Sequence, residues 1–378
     1  MSLGLLPDYP WNQMVPFIET ARAHPGGEVD LSIGSPVDPT PAIIRDALAA
    51  ATDAHSYPQT AGSPELRRAI VEWFGRRRAV PGLTPDQVLP TIGSKELVAW
   101  LPFMLGLGEG DVVVHPSAAY PTYEIGATVA GARAVAADDP ATWPAETKLV
   151  WLNSPGNPDG RVLGVAELAA AVARARELGA VIADDECYAE LGWEGPWASE
   201  PVPCILDPRV TGGDVTSVLS VYSLSKQSNL AGFRAAFIAG DAGLIARLLN
   251  VRKQTGMMPP APVQAAMTAA LDDDDHVAAQ KELYRARRAV LKPALEAYGL
   301  RIDHSEAGLY LWATEGKGAW QTIADLADLG IVAGPGTFYG DHYPEHVRFS
   351  LTATDERIAE AAARLREAPR RESAPGVL

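Results

Sequence analysis

The sequence predicts an α/β fold: a mostly parallel sheet covered by helices on both faces, with a smaller α+β domain beside it. Three observations carry that expectation. From about residue 88, apolar runs alternate with helical periodicity: VLPTIGS, DVVVHP, KLVWLNSPGNP, AVIADDECY, SVLSVYSLSK and RAAFIAGD, with KELVAWLPFMLGL and VAELAAAVARAREL among them. The runs are apolar on both of their faces, as strands buried on both sides of a sheet are. After residue 300 the order changes. RIDHSEAGLYLWA, a helix around 319–329, IVAGPGTFYG, HVRFSLT and a final helix read as the smaller domain.

In chain order, the first 40 residues read as irregular and rich in proline and glycine. A helix begins at Pro41, and Ser63-Pro64-Glu65 reads as an N-cap, an N1 proline and a first-turn acid. A helix-rich stretch covers about 243–298. The expected division is 1–40 as an arm and part of the small domain, 41–280 as the large domain, and 281–378 as the C-terminal small domain. Gly106, Gly108 and Gly110 follow a helix and precede a strand, the wrong order for a dinucleotide fingerprint, so they read as a turn. The run Asp272–Asp275 reads as a solvated loop between helices. His342 and His346 have a spacing that could suggest a metal, but Pro344 between them breaks the helix this would need, so both read as loop residues. Trp100, Trp151 and Trp312 read as core.

Composition excludes several classes. Of 378 residues 47% are hydrophobic, enough for a sizeable core. A net charge of −15 disfavours nucleic acid and anionic membranes as partners. Cys187 and Cys204 are too few for a disulfide framework and form no CxxC pair, so they read as reduced thiols. The start MSLGLLPDYPWNQ has neither the basic n-region nor the apolar h-region of a signal peptide, and no window approaches the roughly 18 apolar residues of a membrane helix. A cytoplasmic protein without a metal is expected.

Ligands of open α/β sheets bind beyond the carboxyl ends of the strands. Those ends carry Gly93-Ser94-Lys95, Tyr120, Asn157, Asp185 with Tyr188, and Ser223 with Lys226 and Arg234. Gly93-Ser94-Lys95 sits between a strand and a helix, where free N–H groups and the helix dipole attract an anion. Many junctions look like this, but Ser223 and Arg234 add donors suited to phosphate. Asp185, taken alone, reads as a cap or an ion-pair partner. Beside the phenol of Tyr188 and the amide of Asn157 it reads as part of a ligand site. Lys226 follows a buried run. Burial and nearby cations lower a lysine pKa, and the neutral amine can condense with an aldehyde. An aldehyde that carries a phosphate, a phenolic oxygen and a basic ring nitrogen is pyridoxal 5′-phosphate (PLP).

These residues, in this order, resemble the class I/II, fold-type I PLP-dependent aminotransferases over essentially the whole chain. The resemblance implies a seven-stranded, mostly parallel sheet in the large domain. It implies that Lys226 carries the cofactor and moves the substrate proton, and that Asp185 pairs with the ring nitrogen. Asn157 and Tyr188 would bond the phenolic oxygen. Gly93, Ser94, the Lys95 amide, Ser223 and Arg234 would cradle the phosphate, and Tyr120 would stack on the ring. Tyr57, in YPQTAG, would reach the phosphate of a neighbouring subunit, which implies a homodimer. Arg348 would grip the substrate α-carboxylate together with Asn157, and Gly34 would close over the substrate. Asp159 stands where the family usually has threonine, and in the family it is the asparagine, here Asn157, and not the threonine that touches the cofactor.

TIGSKELVAWLP, YSLSKQSNLAGFR, DDECYAELGWE and RIDHSEAGLYLWAT resemble the actinobacterial N-succinyldiaminopimelate aminotransferases. That resemblance implies amino transfer between N-succinyl-LL-2,6-diaminopimelate and 2-oxoglutarate, in lysine biosynthesis. Such acidic substrates call for further cations, with Lys95, Arg252 and Lys253 as candidates. Other class I/II aminotransferases (acetylornithine, aspartate or aromatic types) and a C–S lyase on the same fold remain as alternatives.

Overall fold

In the computed structural model, which describes Leu6 and residues 8–368, the apolar runs found in the sequence become the strands of a central sheet. In chain order the strands are β1 (Val29–Asp30), β2 (Val88–Ile92), β3 (Val112–His115), β4 (Arg133–Ala136), β5 (Thr147–Leu152), β6 (Val181–Asp185), β7 (Val218–Ser223), β8 (Ala235–Gly240), β9 (Arg301–Asp303), β10 (Tyr310–Thr314), β11 (Ile331–Val332), β12 (Gly334–Pro335) and β13 (His346–Ser350). Seven of them form the sheet, in the order β2-β8-β7-β6-β5-β3-β4. Only β8 runs against its neighbours.

Alternate residues of each central strand enter different cores, as a pleated sheet covered on both faces requires. Val218 and Tyr222 of β7 pack with Trp73, Phe74 and Phe237, while Leu219 and Val221 pack with Leu97, Leu101, Tyr123 and Trp151. The Trp73 ring lies 4.4 Å from that of Tyr222, and Tyr123 stacks on Trp151 at 5.2 Å. Burying an aromatic side chain contributes roughly 1.5–3 kcal/mol, so each face is strongly held.

A second, antiparallel sheet has the order β12-β13-β10-β9. It shares a third core with Tyr284, Leu291 and Leu295 of the helix Asp275–Tyr298. The N-terminal segment is sewn into this part: β1 pairs with β11, and the Ser350 N–H donates to the Leu31 carbonyl at 2.7 Å. Met14, Ala21 and Leu31 lie in the same core as Tyr188 and Trp193. Residues 32–34 are thereby carried to the carboxyl edge of the central sheet.

Several expectations fail here for physical reasons. The first 40 residues include the helix Val15–Ala23, whose Ala21 faces the third core. The edge strand β4 was not foreseen, because its RAVA is short, partly polar and largely solvated. Trp100 is 38% exposed rather than core, since Leu97, Val98 and Leu101 take the inward face of the helix Ser94–Met104. His346 opens β13 instead of lying in a loop, and its Nε2 contacts Asp303 at 2.8 Å. Asp272 and Asp274 are ion-paired, to Arg68 and Arg76.

Gly106 and Gly110 form a turn with φ of +81° and +91°. Trp151 and Trp312 are buried, and Cys187 and Cys204 are buried and free. Ser63 caps its helix through Leu66 N–H, at 3.1 Å. Residues 1–5 and 7, part of the stretch searched for a signal peptide, lie outside the described residues. No described helix is long and apolar enough to cross a membrane. Among the described residues no cluster of His, Cys, Asp or Glu could hold a metal.

Candidate active site

Strands β5, β6 and β7 lie side by side and run parallel, so the turns that follow them open at one edge of the sheet. Asn153, just past β5, ties two of these turns together. Its Nδ2 donates to the Asp185 carbonyl at 2.7 Å, and its Oδ1 accepts the Asn157 N–H at 2.7 Å. The backbone of Asn157 is thereby fixed near the end of β6.

Asp185 ends β6 and is 6% exposed. Its carboxylate accepts from the Tyr123 hydroxyl at 3.1 Å and the Cys187 N–H at 3.3 Å. Both donors are neutral, and no ion pair to Asp185 occurs among the described residues. Burial therefore pushes its pKa up, against the pull of those hydrogen bonds. A buried carboxylate in this state gains most from a cationic ligand.

Gly93, at φ +79°, sets the start of the helix Ser94–Met104. A Cβ there would lie 2.3 Å from Nη2 of Arg234, so only glycine lets the guanidinium lie against this helix N-terminus. The first N–H groups of a helix have no intrahelical partner. Arg234 Nη1 is held by the Ala231 carbonyl at 2.9 Å. The Ser223 hydroxyl accepts the Ser225 N–H at 3.2 Å. Gly93, Ser94 and Arg234 therefore meet at one point. Lys95 and Arg234 are exposed, so this end of the site is open to solvent.

Lys226 lies in the helical turn Leu224–Gln227 directly after β7. Its Nζ donates to the Gly34 carbonyl. Burial lowers its pKa from the ordinary lysine range; Arg348 and Arg234 push the same way, partly opposed by Tyr310 and Cys187. That is the condition for a nucleophilic amine near neutral pH.

Arg348 is 4% exposed. Its Nη1 donates to Asn157 Oδ1 at 2.8 Å and its Nη2 to the Ser32 carbonyl at 2.6 Å. Nε is buried without a partner, and no carboxylate among the described residues pairs with it. The guanidinium carbon stands 3.9 Å from the Tyr310 ring centre and 4.7 Å from that of Tyr339. Tyr188 and Tyr310 touch through their hydroxyls, at 3.2 Å. A Cβ on Gly34 would fall 2.1 Å from the Tyr310 hydroxyl. Tyr120 lies edge-on to Tyr123, and burial pushes its phenol up to about 12.

Most of the residues singled out in the sequence thus converge. Tyr57 does not: it is 97% exposed in a surface loop. Arg252 is fully buried and gripped by Glu96 at 3.0 and 3.1 Å, so its charge is already matched and cannot serve the substrate. Lys253 is exposed near the C-terminal end of the same helix. Sequence reasoning had Asn153 and Cys187 at the strand ends without a role of their own, and missed Tyr123, Tyr310 and Tyr339. Tyr310 lay inside a quoted segment, but only the pairing of β10 with β13, which sets Tyr310 against Ser350, reveals its place beside Arg348.

PLP fits this edge of the sheet on three observations. Asp185 lacks a cation, a Cβ on Gly93 would close the junction that Arg234 approaches, and a lysine of lowered pKa sits in the same cleft. The comparisons agree. Residues 27–365 match the family described as Aminotransferase class I and II. The chain is 54% identical over 361 residues to the 4-dedimethylamino-4-oxo-anhydrotetracycline transaminase OxyQ of Streptomyces rimosus, covering 95% of this chain and 99% of that protein. It is 52% identical to "Probable aminotransferase Rv1178" of Mycobacterium tuberculosis, over 95% of this chain and 85% of the relative. It is 33% identical to an LL-diaminopimelate aminotransferase of Desulforudis audaxviator, over 96% of this chain and 95% of the relative. Among solved structures, a "probable N-succinyldiaminopimelate aminotransferase" from Thermus thermophilus superimposes with a TM-score of 0.84 at 30% identity, over 94% of this chain and 99% of that one. The chain belongs to the class I and II aminotransferases and is a PLP-dependent aminotransferase of fold type I.

Proposed function

We propose that this aminotransferase moves an amino group between N-succinyl-LL-2,6-diaminopimelate and 2-oxoglutarate, the reaction classified as 2.6.1.17. The observation that carries the choice of an α-amino acid is Arg348. It is a buried guanidinium with an unpartnered Nε and, among the described residues, no carboxylate partner, in contact with Asn157. A planar fork of this kind suits a carboxylate. The diaminopimelate skeleton is supported by the names of the Desulforudis relative and the Thermus structure.

Bound PLP supplies an electron-accepting ring that stabilises negative charge at the amino acid's α-carbon. This chain's residues do the rest. Arg348 and Asn157 fix the carboxylate and so set which bond at the α-carbon faces Lys226. The Lys226 amine, held low in pKa, takes the α-proton and returns it elsewhere. Asp185 keeps the ring nitrogen protonated. Tyr188 and Asn157 donate to the phenolic oxygen, and Tyr120 packs on the ring. Gly93, Ser94, Lys95, Ser223 and Arg234 hold the phosphate. Gly34 lets the segment around Ser32 approach the substrate closely.

A homodimer is part of the proposal. The phosphate end is open in the single chain and Tyr57 is exposed, so Tyr57 of a second copy has a place to reach. Exposed Trp100 and Phe103, in edge contact at 5.8 Å, form an apolar patch on the helix that starts at Ser94. The expected division at residues 40 and 280 is retained with one refinement. Residues 14–31 share a core with the C-terminal part, and the helix Asp275–Tyr298 bridges the second boundary. A cytoplasmic setting is proposed from the two free, buried thiols.

A second substrate reading has an observation in its favour. Arg348 is ringed by Tyr120, Tyr188, Tyr310 and Tyr339, Arg252 is committed to Glu96, and OxyQ is named for a polycyclic substrate. An aromatic-walled site suits a ring-bearing amino acceptor. Half-reactions with N-succinyl-LL-diaminopimelate, LL-diaminopimelate, N-acetylornithine, aspartate, an aromatic amino acid and glutamate decide between them. The proposal expects glutamate and the succinylated compound to convert the cofactor fastest. Conversion by glutamate with none by the succinylated compound rejects the substrate assignment. Release of pyruvate and ammonia from cystathionine would instead mark a C–S lyase.

A further inference from the structure

Tyr310 touches both Arg348 and Tyr188, yet no role above is assigned to it. It is 4% exposed at the start of β10. Its ring lies under the Arg348 guanidinium at 3.9 Å, and its hydroxyl meets that of Tyr188 at 3.2 Å. The same hydroxyl occupies the space that a side chain on residue 34 would need, beside the Gly34 carbonyl that accepts from Lys226. The titratable and charged groups facing it are Arg348 and Tyr339 from the small sheet and its flank, Lys226 after β7, Tyr188 and Cys187 after β6, Tyr120 after β3, and Tyr284 of the helix Asp275–Tyr298.

We propose that Tyr310 is a positioning residue for transamination: its ring is the platform on which Arg348 lies flat, and its hydroxyl donates to the Tyr188 hydroxyl, directing the Tyr188 proton at the phenolic oxygen of the cofactor. Two phenols in contact share one donor role, and the more acidic of the two takes it. The contact lets either phenol donate, and the Arg348 guanidinium stacked on the Tyr310 ring polarises that phenol and favours it as the donor. With its oxygen occupied by the Tyr310 proton, Tyr188 must direct its own proton elsewhere. The pair also links the carboxylate end of the site to the ring end.

The inference rests on the roles proposed for Tyr188 and Arg348, so its test separates them. The pH midpoint of the visible absorption change of the cofactor-loaded enzyme is measured for the parent, Y188F, Y310F and Y310L. Glutarate affinity is measured alongside. A hydrogen bond to an anionic oxygen favours the more negative form, so weakening it raises the midpoint. Y310F is expected to raise the midpoint by about half a unit to one unit and to leave glutarate affinity within about twofold. Y310L removes the platform as well and is expected to weaken glutarate by about 2- to 30-fold. If Y188F raises the midpoint while Y310F leaves or lowers it, the inference is overturned and the role of Tyr188 stands. If Y188F itself leaves the midpoint in place, both fall.

Discussion

Replacing Arg348 tests the substrate anchor directly, and the structure sets the size of the effect. The guanidinium has two bonds inside the protein, to Asn157 Oδ1 and the Ser32 carbonyl, and keeps Nε–H free in a site that is 4% exposed. A substrate carboxylate can therefore take two parallel, charge-assisted bonds. Each contributes roughly 1.5–3 kcal/mol. Arg348→Lys keeps the charge but loses the fork, and is expected to lower kcat/KM for glutamate by about 10- to 150-fold. Arg348→Met loses both bonds and should lower it by about 10² to 10⁴. Single-turnover conversion of the cofactor, followed by absorbance, measures this with glutamate and, in parallel, with benzylamine, which has no carboxylate.

The loss must be confined to the carboxylate-bearing donor. Thermal stability supplies a second check of opposite sense. A structural arginine, paired to a buried acid, would cost about 3–5 kcal/mol on removal. Here no acid is stranded, and relief of an unmatched buried charge offsets the two acceptors left behind. The melting temperature of the Met variant should therefore stay within a few degrees of the parent. Equal loss for both amines, or a collapse in stability, would refute the assignment of Arg348 as the carboxylate anchor.

Other outcomes follow from the same geometry. Asp185→Asn should lower kcat by about 10²–10³, as for loss of other preorganised charged or polar groups, measured by steady-state transamination. The cofactor-free protein should respond in the opposite sense. The folded pKa of Asp185 is raised, so its carboxylate destabilises that form increasingly as pH rises above the unfolded value of 3.8, and the Asn variant should show a shallower decline in melting temperature with pH. Gly93→Ala places a Cβ 2.3 Å from Arg234 Nη2 at φ +79° and should weaken PLP binding by at least about tenfold, read by equilibrium dialysis. The folded pKa of Lys226 lies below 10.5, so its neutral fraction survives to lower pH than that of an ordinary lysine. The rate at which cofactor-free protein captures PLP should hold below that value, and a decline already complete just below pH 10.5 would refute the shift.

What could be read from the sequence divides along physical lines. The strands of the central sheet announced themselves because both of their faces are buried, which leaves an unbroken apolar run such as Val112–Val114. Their carboxyl ends, and with them Asp185, Asn157 and Lys226, were located by the same logic. Tyr310 and Tyr339 were not, because their role depends on how β13 pairs with β10 and β12, a long-range register that local pattern does not encode. Arg252 was misassigned for a related reason. An arginine in a helix looks available until a partner arrives from far along the chain, and Glu96 stands 156 residues away. The N-terminal segment looked irregular because Pro10, Pro16 and the Pro25-Gly26-Gly27 stretch dominate it. Pro10 and Pro16 in fact sit at helix starts, where a missing N–H costs nothing, and Pro25 lies in the turn after the helix Val15–Ala23.

Asp185 and Arg348 also explain each other. They are opposite charges, both nearly inaccessible to water, in one cleft, and they do not form an ion pair. A fold shaped for stability alone would let them meet or would replace them with apolar side chains, since unmatched buried charge costs several kcal/mol. Here each is held apart by neutral neighbours: Tyr123 and the Cys187 amide on the acid, Asn157 and the Ser32 carbonyl on the base. Neutral hydrogen bonds keep a charge in place without cancelling it. The electrostatic stabilisation each charge can give is thus left for a cation that binds at one and an anion that binds at the other. A protonated ring nitrogen of pyridoxal phosphate would sit at Asp185 and the carboxylate of an amino acid at Arg348, with the amine of Lys226 in the same cleft. An Asp185→Asn, Arg348→Met double variant should accordingly keep a cofactor-free melting temperature close to or above that of the parent, while losing amino transfer to glutamate at least as severely as either single change. A double variant that fails to fold would show that the two charges serve the scaffold instead.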